Sequence, residues 1–517
     1  MTPTRPLQRW LLASALACVA LPAAAQREIR FDALQAPAAG TLAIAVREGA
    51  EPGAAFAQVD AASAGALSRA VVAARFTGKA GSQLDLPGIG GYDRVLLVGT
   101  GGDAPTPRLL EDLGGRVGQF AARSDAPRIE LLWEGAESGA GAHLAFGAAL
   151  GQYRFRKYRT AAEDGATGDG ELVIRTPAGA AAAQAWAADW KPVADAVWFA
   201  RDLVTEPANV LGPEEFVART RAAFSGMPGV SIEVLDVPAM ERLGMGSLLA
   251  VGQGSVRPPR LMLVRYNGGA RGDAPVAFVG KGITFDSGGI SIKGSDGMWR
   301  MKYDMTGAAS ATGAVLALAG RRAPVNAVAV AALAENMPAG DAMRPGDVIR
   351  TASGKTFEIM STDAEGRMVL VDALWYVQRQ DKPKVIVDIA TLTGAIVTAL
   401  GSDFAGLYSP DDALAAQLTA AGEAAGEAVW RMPMLPSYGK ALESPIADLR
   451  NGGGRPGSGT AAHFIGEWIE PGQAWAHLDI AGMAWNESTG TATSPSGATG
   501  YGVRLFDRFV REYHEND

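Results

Sequence analysis

Val276-Ala277-Phe278-Val279-Gly280-Lys281-Gly282-Ile283-Thr284-Phe285-Asp286-Ser287-Gly288-Gly289-Ile290-Ser291-Ile292-Lys293 starts as an apolar run and breaks into a glycine-rich loop carrying three charged residues. The run does not alternate with polar residues. A strand there is buried on both faces, which points to a mainly parallel sheet wrapped by helices. Arg260–Val264, Ala327–Ala332, Val385–Ile389 and Ala476–Ile480 read the same way, with helix-like stretches between them. Active sites of such sheets gather where strands end and loops begin. Lys281 closely follows one strand and Thr391 another.

Upstream, residues 27 to about 175 mix short strands, such as Arg94–Val98 and Ile129–Trp133, with Ala/Gly-rich helical stretches. This reads as a smaller α/β domain. Gly99-Thr100-Gly101-Gly102 lacks the third spaced glycine and the downstream acid of a dinucleotide loop, so it reads as a strand-end turn. The run Ala180–Ala188, continuing to Leu203, reads as a linker helix. A chain of 517 residues has room for two cores. The expected organisation is a signal peptide over 1–25, an N-terminal α/β domain over 26–178, and a linker helix with a C-terminal catalytic domain over 179–517.

Arg5 and Arg9, the apolar run Trp10–Leu21 and Ala23-Ala24-Ala25 have the order of a cleavable export signal, predicting a periplasmic or secreted protein. Cys18 is the only cysteine and lies inside that signal, so the mature chain has no disulfide, thiolate ligand or cysteine nucleophile. The apolar run continues past Cys18, which favours soluble export over lipid anchoring, and no later stretch is long enough for a membrane span. A net charge of -8 argues against a nucleic-acid partner.

A second charged cluster follows at Ser361-Thr362-Asp363-Ala364-Glu365-Gly366-Arg367-Met368, ahead of a helix-like run. In an extended backbone, alternation would send Asp363, Glu365 and Arg367 to one side. Adjacent carboxylates repel unless a cation lies between them, and a divalent metal is the usual answer. The chain has only 4 histidines, none at zincin spacing, so a metal site would be built from Asp286, Asp304, Asp363 and Glu365. Such oxygen donors suit Zn, Mn, Mg or Co sharing a water.

Together the two blocks resemble the leucyl aminopeptidases, the two-metal cytosol aminopeptidase family. The similarity extends over roughly Arg201 to Val503, through Arg201–Asn209, Thr391–Ala395 and Ala476–Gly482. The resemblance implies that Lys281 binds one metal through a neutral amine, that Asp286 and Glu365 bridge both ions, and that Asp304 and Asp363 serve one each. It implies that Lys293 polarises the scissile carbonyl and that Arg367 holds a bicarbonate acting as general base. Thr391, Leu392 and Gly394 fall where the family contacts substrate, and Met301 where it lines the pocket for the first residue; a core role for Leu392 and Met301 is the alternative. The expected protein is an aminopeptidase preferring Leu- or Met-like termini, with two Zn and/or Mn ions per subunit, peptide substrates and a homohexameric assembly. A Cys-Gly type dipeptidase of the same family is the alternative.

Ser361, Met368 and Gly294 stand where the family commonly has Asn, Leu and Pro, and none is an expected ligand. Two other readings compete. Phe285–Gly289 and Thr460–Phe464 resemble the serine and histidine blocks of chymotrypsin-like proteases, but in reversed order and without cysteines. DNA binding, found in some family members, is disfavoured by the acidic charge. Asn451–Thr460 is glycine-rich, lacks the lysine of a phosphate loop, and reads as a flexible loop over the site or at an interface.

Overall fold

The computed structural model describes residues 26–135, 137, 139–160, 169–487 and 490–515. The expected signal segment over 1–25, with Cys18, lies outside these residues.

The N-terminal part is a six-stranded sheet: β1 (Glu28–Ala33), β2 (Gly40–Arg47), β3 (Gln83–Ile89), β4 (Tyr92–Gly101), β5 (Arg128–Leu132) and β6 (Glu171–Thr176), in the order β1-β6-β5-β2-β4-β3. The turn expected at Gly99–Gly102 is corrected: β4 runs on through Gly101, and the chain bends only at Gly102. Helical structure then runs over Gly179–Ala185, one π-turn at Trp186–Trp190, and Lys191–Thr205.

The C-terminal part is built on an eight-stranded sheet. Its strands are β7 (Val230–Leu235), β8 (Arg260–Asn267), β9 (Val276–Asp286) and β10 (Asn326–Asn336), then, beyond a small side sheet, β11 (Val385–Ala390), β12 (Ala405–Tyr408), β13 (Val429–Arg431) and β14 (Trp475–Asp479). The order is β13-β12-β14-β11-β9-β10-β8-β7. The centre, β14-β11-β9-β10, is parallel; at the margins β12 pairs antiparallel with β14 and carries β13 parallel to itself, while β8 pairs antiparallel with both β10 and β7. The sheet is thus mixed, with its parallel part where the apolar runs are unbroken. β9, β10 and β11 are buried along almost their whole length, the reason they lack polar alternation.

Register sets the position of the site. Val276 of β9 pairs with Ala327 of β10 and with Val385 of β11, all parallel, so the three carboxyl ends finish along one edge. β9 and β10 run on to Asp286 opposite Asn336, and β11 ends at Ala390 opposite Asp479. The helix Thr306–Gly320 starts hard against this edge. A Cβ on Gly280 would lie 2.3 Å from the Gly307 carbonyl oxygen, and one on Gly307 2.0 Å from that of Ile389. Only glycines allow this approach. Among the described residues, no helix is long and apolar enough to cross a membrane.

Candidate active site

The 3₁₀ helix Met298–Met305 leads into Thr306–Gly320, and the close contact at Gly307 brings its Asp304 beside β9. Lys281 of β9 places its Nζ 2.7 Å from Asp304 Oδ2, 2.9 Å from Glu365 Oε1 and 2.9 Å from the Thr391 carbonyl oxygen. Thr391 Oγ1 donates to Asp304 Oδ1 at 2.7 Å. Lys293 Nζ lies 2.8 Å from Asp286 Oδ2 and 2.5 Å from Asp363 Oδ1. The two loops are tied together: Thr362 Oγ1 donates to the Gly288 carbonyl at 2.6 Å and accepts from Ser291 N at 2.8 Å.

The segment 361–368 is not extended. A helix begins at Glu365 and runs to Gln380, so the alternation argument fails; Asp363 precedes the helix, and Glu365 and Arg367 lie in its first turn. The residues still converge, because the helix end abuts β9. A Cβ on Gly366 would sit 2.6 Å from Lys281 Cδ and Cε. Glu365 also gains from a helix N-terminus, where carboxylates are favoured.

Carboxylate oxygens of Asp286, Asp363 and Glu365 lie within 4.8 Å of one another. Burial, then the Asp286 charge, raises the Glu365 carboxyl to about 8, with Lys281 opposing. Asp304 is raised to about 6 by burial, against the pull of Lys281. Burial and Asp286 also raise Asp363. Burial alone would lower Lys281 and Lys293, but the surrounding carboxylates override it and hold both ammonium groups well above their ordinary range. Such a cluster is stabilised by positive charge at its centre. Glu365 Oε2 is buried without a hydrogen-bond partner, so the donor set fits divalent cations.

Arg367 donates from Nη1 to the Asn451 carbonyl at 2.7 Å, while its Nε is buried without a partner; burial lowers its guanidinium to about 10. Thr391 is buried and Leu392 half-buried against the core, whereas Gly394 opens the helix Gly394–Leu400 facing open space. Met301 is half-buried in the 3₁₀ helix that carries Asp304.

Three supporting residues escaped the sequence reading. Asn336 donates to Asp286 Oδ1 at 2.8 Å and to the Thr362 carbonyl at 3.0 Å. Asp479 accepts from Leu392 N at 3.1 Å, Thr393 N at 3.3 Å and Thr393 Oγ1 at 2.6 Å; its signal was its place in the block Ala476–Gly482. Asn451 is fully buried and bonds Met360 N and the Ser361 carbonyl, both at 2.8 Å. The expectation of a flexible loop over Asn451–Thr460 is therefore corrected at both ends: Asn451 is an anchor, and a helix starts at Gly457. The serine-protease reading also fails, because Ser287 Oγ donates to the Asn336 carbonyl at 2.8 Å and His463 faces Glu467 at 3.5 Å.

The catalytic-domain model of the cytosol aminopeptidase family matches residues 198–506, and that family's N-terminal-domain model matches 43–162. The chain belongs to the cytosol aminopeptidase family. It is a metal-dependent aminopeptidase, a metallo-exopeptidase hydrolase with a smaller N-terminal domain and a C-terminal catalytic domain. A probable cytosol aminopeptidase of Caulobacter vibrioides is 49% identical over 426 residues, 82% of this chain and 85% of that protein. One from Methylorubrum populi is 48% identical over 433 residues, with the same coverage of each. A mutant of tomato leucine aminopeptidase superposes with a TM-score of 0.84 at 31% identity, covering 95% of this chain and 97% of that one. The bottromycin maturation enzyme BotP, in complex with Mn, has a TM-score of 0.79 at 35% identity, covering 91% and 99%.

Proposed function

We propose that this aminopeptidase is exported, removes Leu- or Met-like N-terminal residues, and holds two divalent cations, zinc and/or manganese, on Lys281, Asp286, Asp304, Asp363 and Glu365. The carrying observation is the convergence of one buried lysine and four carboxylates at the carboxyl end of the sheet's parallel centre. Asp286 and Glu365 would serve both cations, Asp304 and Asp363 one each. Manganese in the similar BotP structure supports that choice of metal. Such cations supply Lewis acidity, polarising a carbonyl and making water nucleophilic near neutral pH.

The protein's own residues do the rest. Lys293, held between Asp286 and Asp363, presents a fixed positive charge where the scissile carbonyl oxygen gains negative charge. A preorganised donor of this kind contributes about 10²–10³ in rate. The carboxylates would be committed to cations, the Lys281 amine, made neutral by the adjacent dication, would be committed to one of them, and Lys293 is charged, so no side chain of the cluster is left as a base. Arg367, with a buried Nε lacking a partner, is suited to hold a bicarbonate in that role. Thr391, Gly394 and Leu392, the last held by Asp479, would contact the substrate backbone and side chain, and Met301 would line the pocket for the first residue.

The export signal supports a periplasmic or secreted location, and membership of the family supports a homohexamer. The test is hydrolysis of Leu-, Met- and Cys-Gly-type peptides by purified protein, with and without chelator and with Zn or Mn added back. Restoration by metal and preference for Leu or Met termini are expected. Activity surviving complete demetallation would overturn the metal reading; preference for Cys-Gly would replace the substrate assignment.

A further inference from the structure

A cavity of about 510 Å³ lies where the N-terminal domain meets the catalytic domain, lined by Arg123, Arg154, Arg156, Arg159, Trp299 and Trp485 among others. Four guanidinium groups share this wall. Among the described residues, the one carboxylate lining it, Glu487, is paired with Arg300. Arg156 and Arg159 are engaged in contacts of their own. The side chains of Arg123 and Arg154 make no hydrogen bond or ion pair among the described residues. Burial first, and then the charges of Arg156, Arg123 and Arg159, together lower the Arg154 guanidinium to about 10. Like charges gathered around a half-buried cation are unfavourable unless an anion joins them.

The lining is also aromatic. Trp299 is 64% exposed and meets Trp485 edge-on, with ring centroids 6.1 Å apart. Lys302 Nζ sits 5.6 Å from the Trp485 ring centroid. Trp299 and Lys302 belong to the same 3₁₀ helix as Met301 and Asp304, so the cavity wall and the metal cluster share one short element. A volume of this size accommodates a small ligand.

We propose that this cavity binds a multivalent anion, bearing phosphate or clustered carboxylate groups, gripped by Arg123 and Arg154 against the Trp299–Trp485 wall. The same chemistry could come from two sources. One is the acidic downstream part of a bound peptide, a source that rests on the aminopeptidase reading above; the other is a free anion. Guanidinium groups suit both, because their paired N–H donors match the oxygens of phosphate and carboxylate.

The experiment uses the full mature protein and a double variant, Arg123→Gln with Arg154→Gln. Pyrophosphate binding is measured by calorimetry at low salt. In parallel, kinetics are compared for a Leu-led peptide ending in glutamates, its glutamine counterpart, and leucinamide. Removing two charged hydrogen-bond donors should weaken anion binding about tenfold or more, and added salt should weaken it in the parent. Leucinamide turnover and the melting temperature should be unchanged.

If the peptide tail is the source, the parent shows a lower KM for the glutamate peptide than for the glutamine peptide, and the double variant loses that difference. If a free anion is the source, only pyrophosphate binding changes. Equal pyrophosphate affinity and equal peptide discrimination in parent and variant would overturn the proposal, as would absence of both in the parent. Should the double variant melt early, each single substitution supplies the same comparison. Pyrophosphate binding needs no turnover, so its failure is distinct from a failure of leucinamide hydrolysis, which would count against the aminopeptidase reading.

Discussion

Glu365 and Asp286 hold the centre of the cluster: Glu365 is buried beside Lys281, and Asp286 faces Lys293 while accepting from Asn336. Glu365→Gln or Asp286→Asn should each lower turnover by orders of magnitude, read as kcat on a Leu peptide with metal in excess; near-normal rates would contradict their central role. Lys293→Ala should cost about 10²–10³ in kcat, with a smaller effect on KM. The three atoms nearest to a Cβ placed on Gly366 all belong to Lys281. Gly366→Ala drives a methyl into Lys281 Cδ, Cε and Nζ at 2.6–2.7 Å, and should lower metal occupancy as measured by elemental analysis. At this scale the sequence was informative, because lysine and carboxylates spaced along glycine-rich loops have few structural uses. It could not show that Glu365 and Arg367 sit in a helical turn, since a first turn and an extended segment look alike over a few residues.

At the scale of elements, the helix Glu365–Gln380 is held behind the site by Asp372. This residue is fully buried and accepts from Ser247 N at 2.9 Å, Leu248 N at 3.0 Å and Ala352 N at 2.8 Å. Burial raises its carboxyl to about 6, against those three backbone donors. The folded pKa is above the unfolded value of about 3.9, so the folded state binds more protons between the two. Stability from this group is greatest below about pH 4 and is lost as pH rises through 6. The melting temperature of the parent relative to Asp372→Asn should therefore fall between pH 4 and 6 and level off above about 7; a flat difference would refute it. On the neighbouring strand, Asp479 fixes the turn after β11. Asp479→Asn should raise KM for Leu peptides more than it lowers kcat, because it loosens Leu392 and Thr393 while leaving the metal cluster in place. The linker helix and the central strands were legible from apolar runs. The buried start of Asn451–Thr460 was not, because its glycines match those of a mobile loop, while its burial comes from contacts with residues 360, 361 and 367.

At the scale of the molecule, one hydrophobic cluster is continuous from Ile129 and Leu131 of the N-terminal sheet to Phe278 and Val387 of the catalytic sheet. The buried Arg201 fastens the same boundary, donating to the carbonyls of Leu150, Thr493 and Thr499 at 2.8–2.9 Å. The two domains should accordingly melt together. Zn or Mn should raise that single melting temperature, since binding to the folded site alone stabilises it. No metal-induced rise is expected for Glu365→Gln combined with Asp286→Asn, and an undiminished rise would place the cations elsewhere.

The sequence by itself determined the two α/β parts, the buried central strands and the identity of the charged residues, because burial on both faces and clustered carboxylates leave marks along the chain. Tertiary structure alone decided how those residues meet. Parallel register brings the ends of β9, β10 and β11 to one edge, and glycine contacts press two helices onto it. Asn336, Asn451 and Asp479 act through partners dozens of residues away, and an interaction between distant segments has no local signature.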